Sequence, residues 1–272
     1  MKSPGYGKMP VGVMVSSAFL LLVLVCLLFP DLLAASPLKI DTSLGAVPAG
    51  SPGHVLGTDS LGRDVLDLTI RGTRSALLGP LAIALGSIVI GLVLGSLAGW
   101  FGGVPDWIIS RYADITLSMP TLLLAIVAAS ILGGGYWVSV AVMIILYSPF
   151  DIRLVRSAVI AQKNKPYIES ALILRLGTPR ILAVHIFPNI AHIILVNFFL
   201  NIAAGLVSMS SLSYLGLGVA PGDADWGRQL ADGKGALFDN PMASVTAGLA
   251  IIITAIAVNV VGNYFSERTT IG

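Results

Sequence analysis

The sequence predicts an all-α integral membrane protein with six transmembrane helices, and three observations carry that prediction. Apolar residues make up 56% of the 272 residues and charged residues only 11%, where a soluble domain carries about 25% charged. Six segments are apolar over close to the ~20 residues that cross a hydrocarbon core about 30 Å thick. Basic residues are unevenly shared between the segments joining them, as membrane topology requires.

Spans are expected at 10–29, 76–99, 115–133, 136–152, 191–214 and 242–263. The apolar run 11–29 exceeds the about 7–15 residues of a signal-peptide core, so the first segment reads as a retained span rather than one cleaved near Ala34-Ala35. Gly133-Gly134-Gly135 form a tight turn that makes spans three and four antiparallel neighbours. Residues 30–75 are rich in Pro, Gly, Ser and Asp, 153–190 are basic, and 215–241 hold four aspartates. The chain therefore divides into an N-terminal span with its polar loop (1–75), a transmembrane core (76–265) containing loops 164–190 and 215–241, and a short tail (266–272).

Orientation follows from the basic residues. With the N-terminus inside, the cytoplasmic face holds Lys2, Lys8, Arg111, Arg153, Arg156, Lys163, Lys165, Arg175, Arg180 and Arg268, ten in all. The outer face holds six: Lys39, Arg63, Arg71, Arg74, Arg228 and Lys234. Both termini are then cytoplasmic in a multi-pass protein of the inner membrane.

Composition also excludes functions. A net charge of +2 is too small for a nucleic-acid partner. Cys26 is the lone cysteine, His54, His185 and His192 are scattered, and there is no GxxxxGK[ST] phosphate loop. We therefore expect no catalytic, metal or cofactor site on this chain, so ATP would have to bind elsewhere. Polar residues within spans, chiefly Asn197, Asn201, Ser208 and Asn259, are candidates to line a path across the membrane, although small polar residues also let helices pack closely. No acid or base is expected near a span midplane, which weighs against a proton- or sodium-coupled carrier.

The loop 164–190 reads as two short helices. Pro166 suits a first turn, and Ile168, Ala171, Leu172 and Leu176 share one face, with Glu169 and Arg175 elsewhere. Gly177 is placed to end this helix, Thr178-Pro179 to start the next, and Pro188 to break it before span five. Those residues alone equally describe an interfacial amphipathic helix in contact with membrane lipid. Glu169-Ser170-Ala171, with His185, Pro188 and Asn189 downstream, resembles the cytoplasmic coupling loop, the "EAA" loop, of ABC importer permeases. Arg175 stands at that family's glycine position, with Gly177 two residues later.

A second motif runs Gly57-Thr58-Asp59-Ser60-Leu61-Gly62-Arg63-Asp64. Asp59 or Ser60 can cap a helix start, Gly62 relieves crowding, and Arg63 can pair with Asp59 or Asp64. It closely resembles the Gly-Thr-Asp-x-x-Gly-Arg-Asp segment of C-type permease subunits in the dipeptide/oligopeptide/nickel branch. Ala98-Gly99-Trp100-Phe101-Gly102-Gly103, residues 114–120, and Gly216-Leu217-Gly218 with Pro221, Asp225, Trp226 and Gly227 extend that resemblance.

The resemblance implies an ABC importer type I-like permease fold with a cytoplasmic coupling helix. It implies ATP-driven import, with di- or oligopeptides as cargo and nickel or another small solute as the alternative. Implied partners are a homologous permease subunit, two cytoplasmic ATPase subunits that hold ATP and Mg, and an extracytoplasmic substrate-binding protein. Glu169, Ser170, Ala171, Leu172, Arg175, Gly177, His185 and Pro188 would couple to the ATPase. Asp59, Arg63, Asp64, Asp225 and Trp226 would belong to the outer gate or docking surface, with Trp226 against the membrane rim and Asp225 facing water.

Overall fold

A computed structural model describes residues 9–34 and 39–269; Lys2, Lys8, Ala35 and residues 270–272 lie outside them. In chain order the helices are α1 (Val11–Leu28) and α2 (Pro30–Leu33), then α3 (Val65–Phe101). Next come α4 (Gly103–Leu117), α5 (Thr121–Ile131), α6 (Tyr136–Lys163) and α7 (Pro166–Ile173). They are followed by α8 (Thr178–Tyr214), α9 (Trp226–Asp232) and α10 (Met242–Thr269). Five of these, α1, α3, α6, α8 and α10, are long and apolar enough to cross a membrane, and the bent pair α4 and α5 makes up to six.

Span three is not the continuous helix expected over 115–133. α4 begins at Gly103, stops at Leu117, and meets α5 at a bend of 92°. The break falls at Ser118, Met119 and Pro120, where proline biases the preceding residue away from helix. Gly133, Gly134 and Gly135 then turn the chain with φ of 90°, 69° and 97°, and α5 packs beside α6 as the triple glycine predicts.

α1 falls within its expected span, but α3, α6, α8 and α10 outrun theirs because hydropathy marks where lipid ends, while a helix stops at a breaker. α6 has 28 residues, about 42 Å at 1.5 Å each, so it projects beyond the hydrocarbon and carries Arg153, Arg156 and Lys163 with it. Ion pairs from Arg156 to Asp106 and from Arg153 to Asp114 tie this basic end to α4.

α8 packs on both α3 and α10, and α3 packs on α6. Close approach needs small residues: a Cβ on Gly95 would lie 2.7 Å from the Ile152 carbonyl oxygen. Around that contact α3 opens into a π-helical turn, Gly91–Gly95. Farther along, Pro80 sits inside α3, and the Tyr136 hydroxyl enters the preceding helical rung. It accepts from the Gly79 N–H at 2.6 Å and donates to the Ser75 carbonyl.

Candidate functional site

Three groups of predicted residues come together in separate places, beginning with the loop 164–190. Helix α7 packs Ile168 and Ala171 against Trp100, Val155, Val159, Ile181, Ile186 and Ile190. Ala171 is 4% exposed, so it faces its own subunit and not a groove in a partner, contrary to the expectation for a coupling contact. Leu172 does not share that buried face: Leu172, Ile173 and Leu174 are 48%, 81% and 73% exposed. Glu169 and Ser170 are exposed beside them.

Gly177 does not end α7. The helix stops at Ile173 and the chain reverses at Arg175, whose φ of 53° is left-handed. The Leu176 N–H bonds the Ala171 carbonyl at 3.2 Å and the Arg175 N–H bonds the Leu172 carbonyl at 2.9 Å. That pair of bonds is the Schellman C-cap, usually built on glycine. Arg175 thus makes a turn usually built on glycine, and Gly177 serves instead as the extended N-cap of α8.

Pro188 does not break the helix leading to span five either. α8 runs unbroken from Thr178, and a π-helical turn at Ile181–Ile186 takes up the strain. The extra residue per turn gives the proline ring room against the preceding carbonyls. The His185 carbonyl accepts from the Asn189 side chain at 2.6 Å. Residues 178–190 of the loop are therefore continuous with span five.

The second group lies between the span-forming helices. Asn197, Asn201 and Asn259 line a cavity of about 510 Å³ together with Thr121, Tyr147, Phe150 and residues of α8 and α10. Ser208 is drawn aside into a 2.9 Å hydrogen bond with the Tyr147 hydroxyl. Behind the cavity lies a residue the sequence reading misplaced. Asp151 sits within α6, 1% exposed, and accepts from Asn197 and, at 3.0 and 3.1 Å, from Asn201. Asp151 is thus a buried acid within a span-forming helix, two residues before Arg153 at its basic end. Ending span four at 152 put Asp151 at a boundary; the absence of any Pro or Gly between Asp151 and Pro166 was the signal that α6 continues.

The third group seals the opposite end. Asp59 does not cap α3; it is folded into its own turn, accepting from the Leu61 and Arg63 N–H groups, both at 2.9 Å. Arg63, 2% exposed, donates through Nε to Asp59 at 2.7 Å. The α3 cap is Asp64, which accepts from the Asp67 N–H at 3.0 Å and pairs with His54 Nδ1 at 2.8 Å. Gly62 has φ 73°, and a Cβ there would overlap the Asp41 carbonyl.

Asp225 and Trp226 also depart from expectation. Asp225 is 4% exposed and caps α9 through the Arg228 N–H at 3.1 Å, so it does not face water. Burial pushes its carboxyl above the usual carboxylate range, against the opposing pull of its hydrogen bonds. Trp226 is 2% exposed, and its indole N–H donates to the Thr69 carbonyl at 2.8 Å. It anchors α9 to α3 instead of resting on a membrane rim.

Residues 91–270 match the family of binding-protein-dependent transport system inner membrane components. The chain belongs to this family. It is a multi-pass transport permease, and its homologues are ABC transport permeases. The permease is 32% identical to the dipeptide transport system permease protein DppC of Haemophilus influenzae over 95% of this chain and 90% of that protein. It is 36% identical to the glutathione transport system permease protein GsiD of Pectobacterium atrosepticum, covering 78% and 71%. Among solved structures it resembles a chain of the MetNI methionine ABC transporter in an inward-facing form, with a TM-score of 0.59 at 16% identity, over 75% of this permease and 97% of that chain. That likeness supports the ABC importer type I permease fold.

Proposed function

We propose that this permease moves di- or oligopeptides inward as the C-type subunit of an ATP-driven importer. It pairs with a homologous permease subunit to enclose the path, and both its termini are cytoplasmic. Two ATPase subunits carry the ATP and Mg and grip the loop 164–190; an extracytoplasmic substrate-binding protein delivers cargo at the 215–241 end. The names of the relatives support the cargo class. The cavity bordered by Asn197, Asn201 and Asn259 forms this subunit's share of the conduit.

The observation that carries coupling is the exposed apolar knob of Leu172 and Ile173 at the end of α7 with Leu174, its C-cap. A contiguous exposed apolar patch on a short polar-flanked helix fits a protein contact. The knob stands directly on the core that holds the end of α6 and the start of α8, so a push on it is delivered to two spans at once.

Ile173→Arg in the assembled transporter tests this. The subunit should remain in the membrane while ATPase co-purification and peptide uptake fall at least tenfold, since truncated or charged hot spots cost roughly 2 kcal/mol or more. Undiminished ATPase retention together with undiminished uptake would remove the coupling assignment.

A further inference from the structure

A carboxylate accepts hydrogen bonds and donates none. Asp151 therefore dictates how two amides sit: Asn197 and Asn201 both turn their NH2 groups toward it. Their carbonyl oxygens are consequently turned away, and no donor among the described residues engages either one. Both asparagines line the cavity. Asn259 lines it too, and its Oδ1 is buried without a hydrogen-bond partner. No Lys, Arg or His pairs with Asp151 among the described residues.

We propose that Asp151 is a positioning residue that makes this cavity a station for a cationic, hydrogen-bond-donating side chain of the cargo, of the kind a lysine ammonium presents. The proposal rests on reading the cavity as part of the conduit. An ammonium brings three N–H donors, and the three asparagines that line the cavity each carry an amide oxygen that no donor among the described residues engages. Its charge is also favoured by the uncompensated carboxylate behind the amides, whereas an anion meets oxygen lone pairs and that same field. Asp151 is held in place for this. It packs against Gly91 at the opened turn of α3, where a Cβ would overlap the Asp151 side chain. Asn201 in turn reaches Ser87 of α3 at 3.3 Å, so three helices fix one set of amide orientations.

The test reads the site without relying on cargo identity. In the complete transporter in membrane vesicles, with Cys26→Ser, the cavity-lining Ala204 is replaced (Ala204→Cys) and treated with cationic and anionic methanethiosulfonates of matched size. The cationic reagent should react faster, and Asp151→Asn should lower the cationic-to-anionic rate ratio about tenfold, the scale on which a unit charge acts across protein over a turn or two of helix. An unchanged ratio, or no modification by either reagent, overturns the proposal. Uptake of alanyl-lysine and alanyl-glutamate is then compared with one and the same binding protein. Asp151→Asn should lower the lysine-to-glutamate ratio. Equal losses for both peptides would identify a structural clamp and overturn the station. If wild-type transporter moves neither dipeptide while the thiol ratio still shifts, the station stands and the peptide cargo falls.

Discussion

Arg63 and Asp232 are 169 positions apart in the chain, yet the guanidinium of one lies 3.2 Å from the carboxylate of the other. Their contact joins the loop before α3 to the end of α9. Arg63 also holds Asp59 at 2.7 Å and reaches the Gly222 carbonyl at 3.5 Å, while Asp232 takes Arg228 at 3.0 Å. The two segments are thereby locked over the start of α3.

Removing Arg63 should be far worse than removing Asp232. Asp59 is only 4% exposed in its side chain and would be left as a buried uncompensated charge, which costs about 3–5 kcal/mol. Asp232 is 23% exposed, and its loss should cost no more than about 1 kcal/mol. Thermal unfolding of the purified transporter carrying Arg63→Leu or Asp232→Asn should reproduce that order. Equal shifts would show that the lock does not depend on the buried pair.

Arg175→Gly should stabilise the loop by about 1 kcal/mol, because a non-glycine residue in the left-handed region carries a penalty of that size. Arg175→Val should destabilise it, since a β-branched side chain tolerates that region least. Hydrogen exchange at the Arg175 and Leu176 amides, which close the cap, reports both changes; faster exchange in the glycine variant would contradict the strain.

Ala171→Arg should fail differently from Ile173→Arg. Its side chain would enter the core formed by Trp100, Val159 and Ile186. Burying an unpaired charge there should cost several kcal/mol. The expected result is loss of the subunit from the membrane, read by immunoblot, and not loss of ATPase from an intact subunit.

Asp225 predicts a pH dependence with a definite sign. Its folded pKa is raised by burial. The stability it contributes is therefore fully present below the ordinary carboxylate range and is lost as pH rises through the raised folded value. Asp225→Asn retains a capping side chain but removes the titration. The melting temperature of the variant relative to wild type should climb as pH is raised across that window; a difference that is flat with pH would assign the Asp225 environment wrongly.

Residues whose structural role is local were legible in the chain. Hydropathy runs located five continuous spans, the triple glycine turned α5 into α6, and Pro166 opened α7. The Glu169-Ser170-Ala171 segment could be placed between two spans because helix starts, turns and apolar runs depend on neighbouring residues. The broken third span was partly visible in Pro120, and the continuation of α6 in the absence of Pro or Gly between Asp151 and Pro166.

Residues whose role depends on what they touch were not legible. Sequence spacing put Ala171 and Leu172 on one face, but the early reversal at Arg175 and the core beneath α7 buried one and exposed the other. Asp151 read as a boundary acid until α3 and α8 closed around it, since only distant partners such as Asn197, Asn201 and Gly91 make it an interior group. Arg63 offered two neighbouring carboxylates, and the choice of Asp59, with Asp232 added from far along the chain, was made by packing. The sequence by itself determined a six-segment helical membrane protein and the position of its loop, through short-range backbone and solvation preferences. Which polar groups are buried, and toward which partner each one turns, was decided only by tertiary structure, because desolvation and hydrogen-bond pairing depend on contacts between residues far apart in the chain.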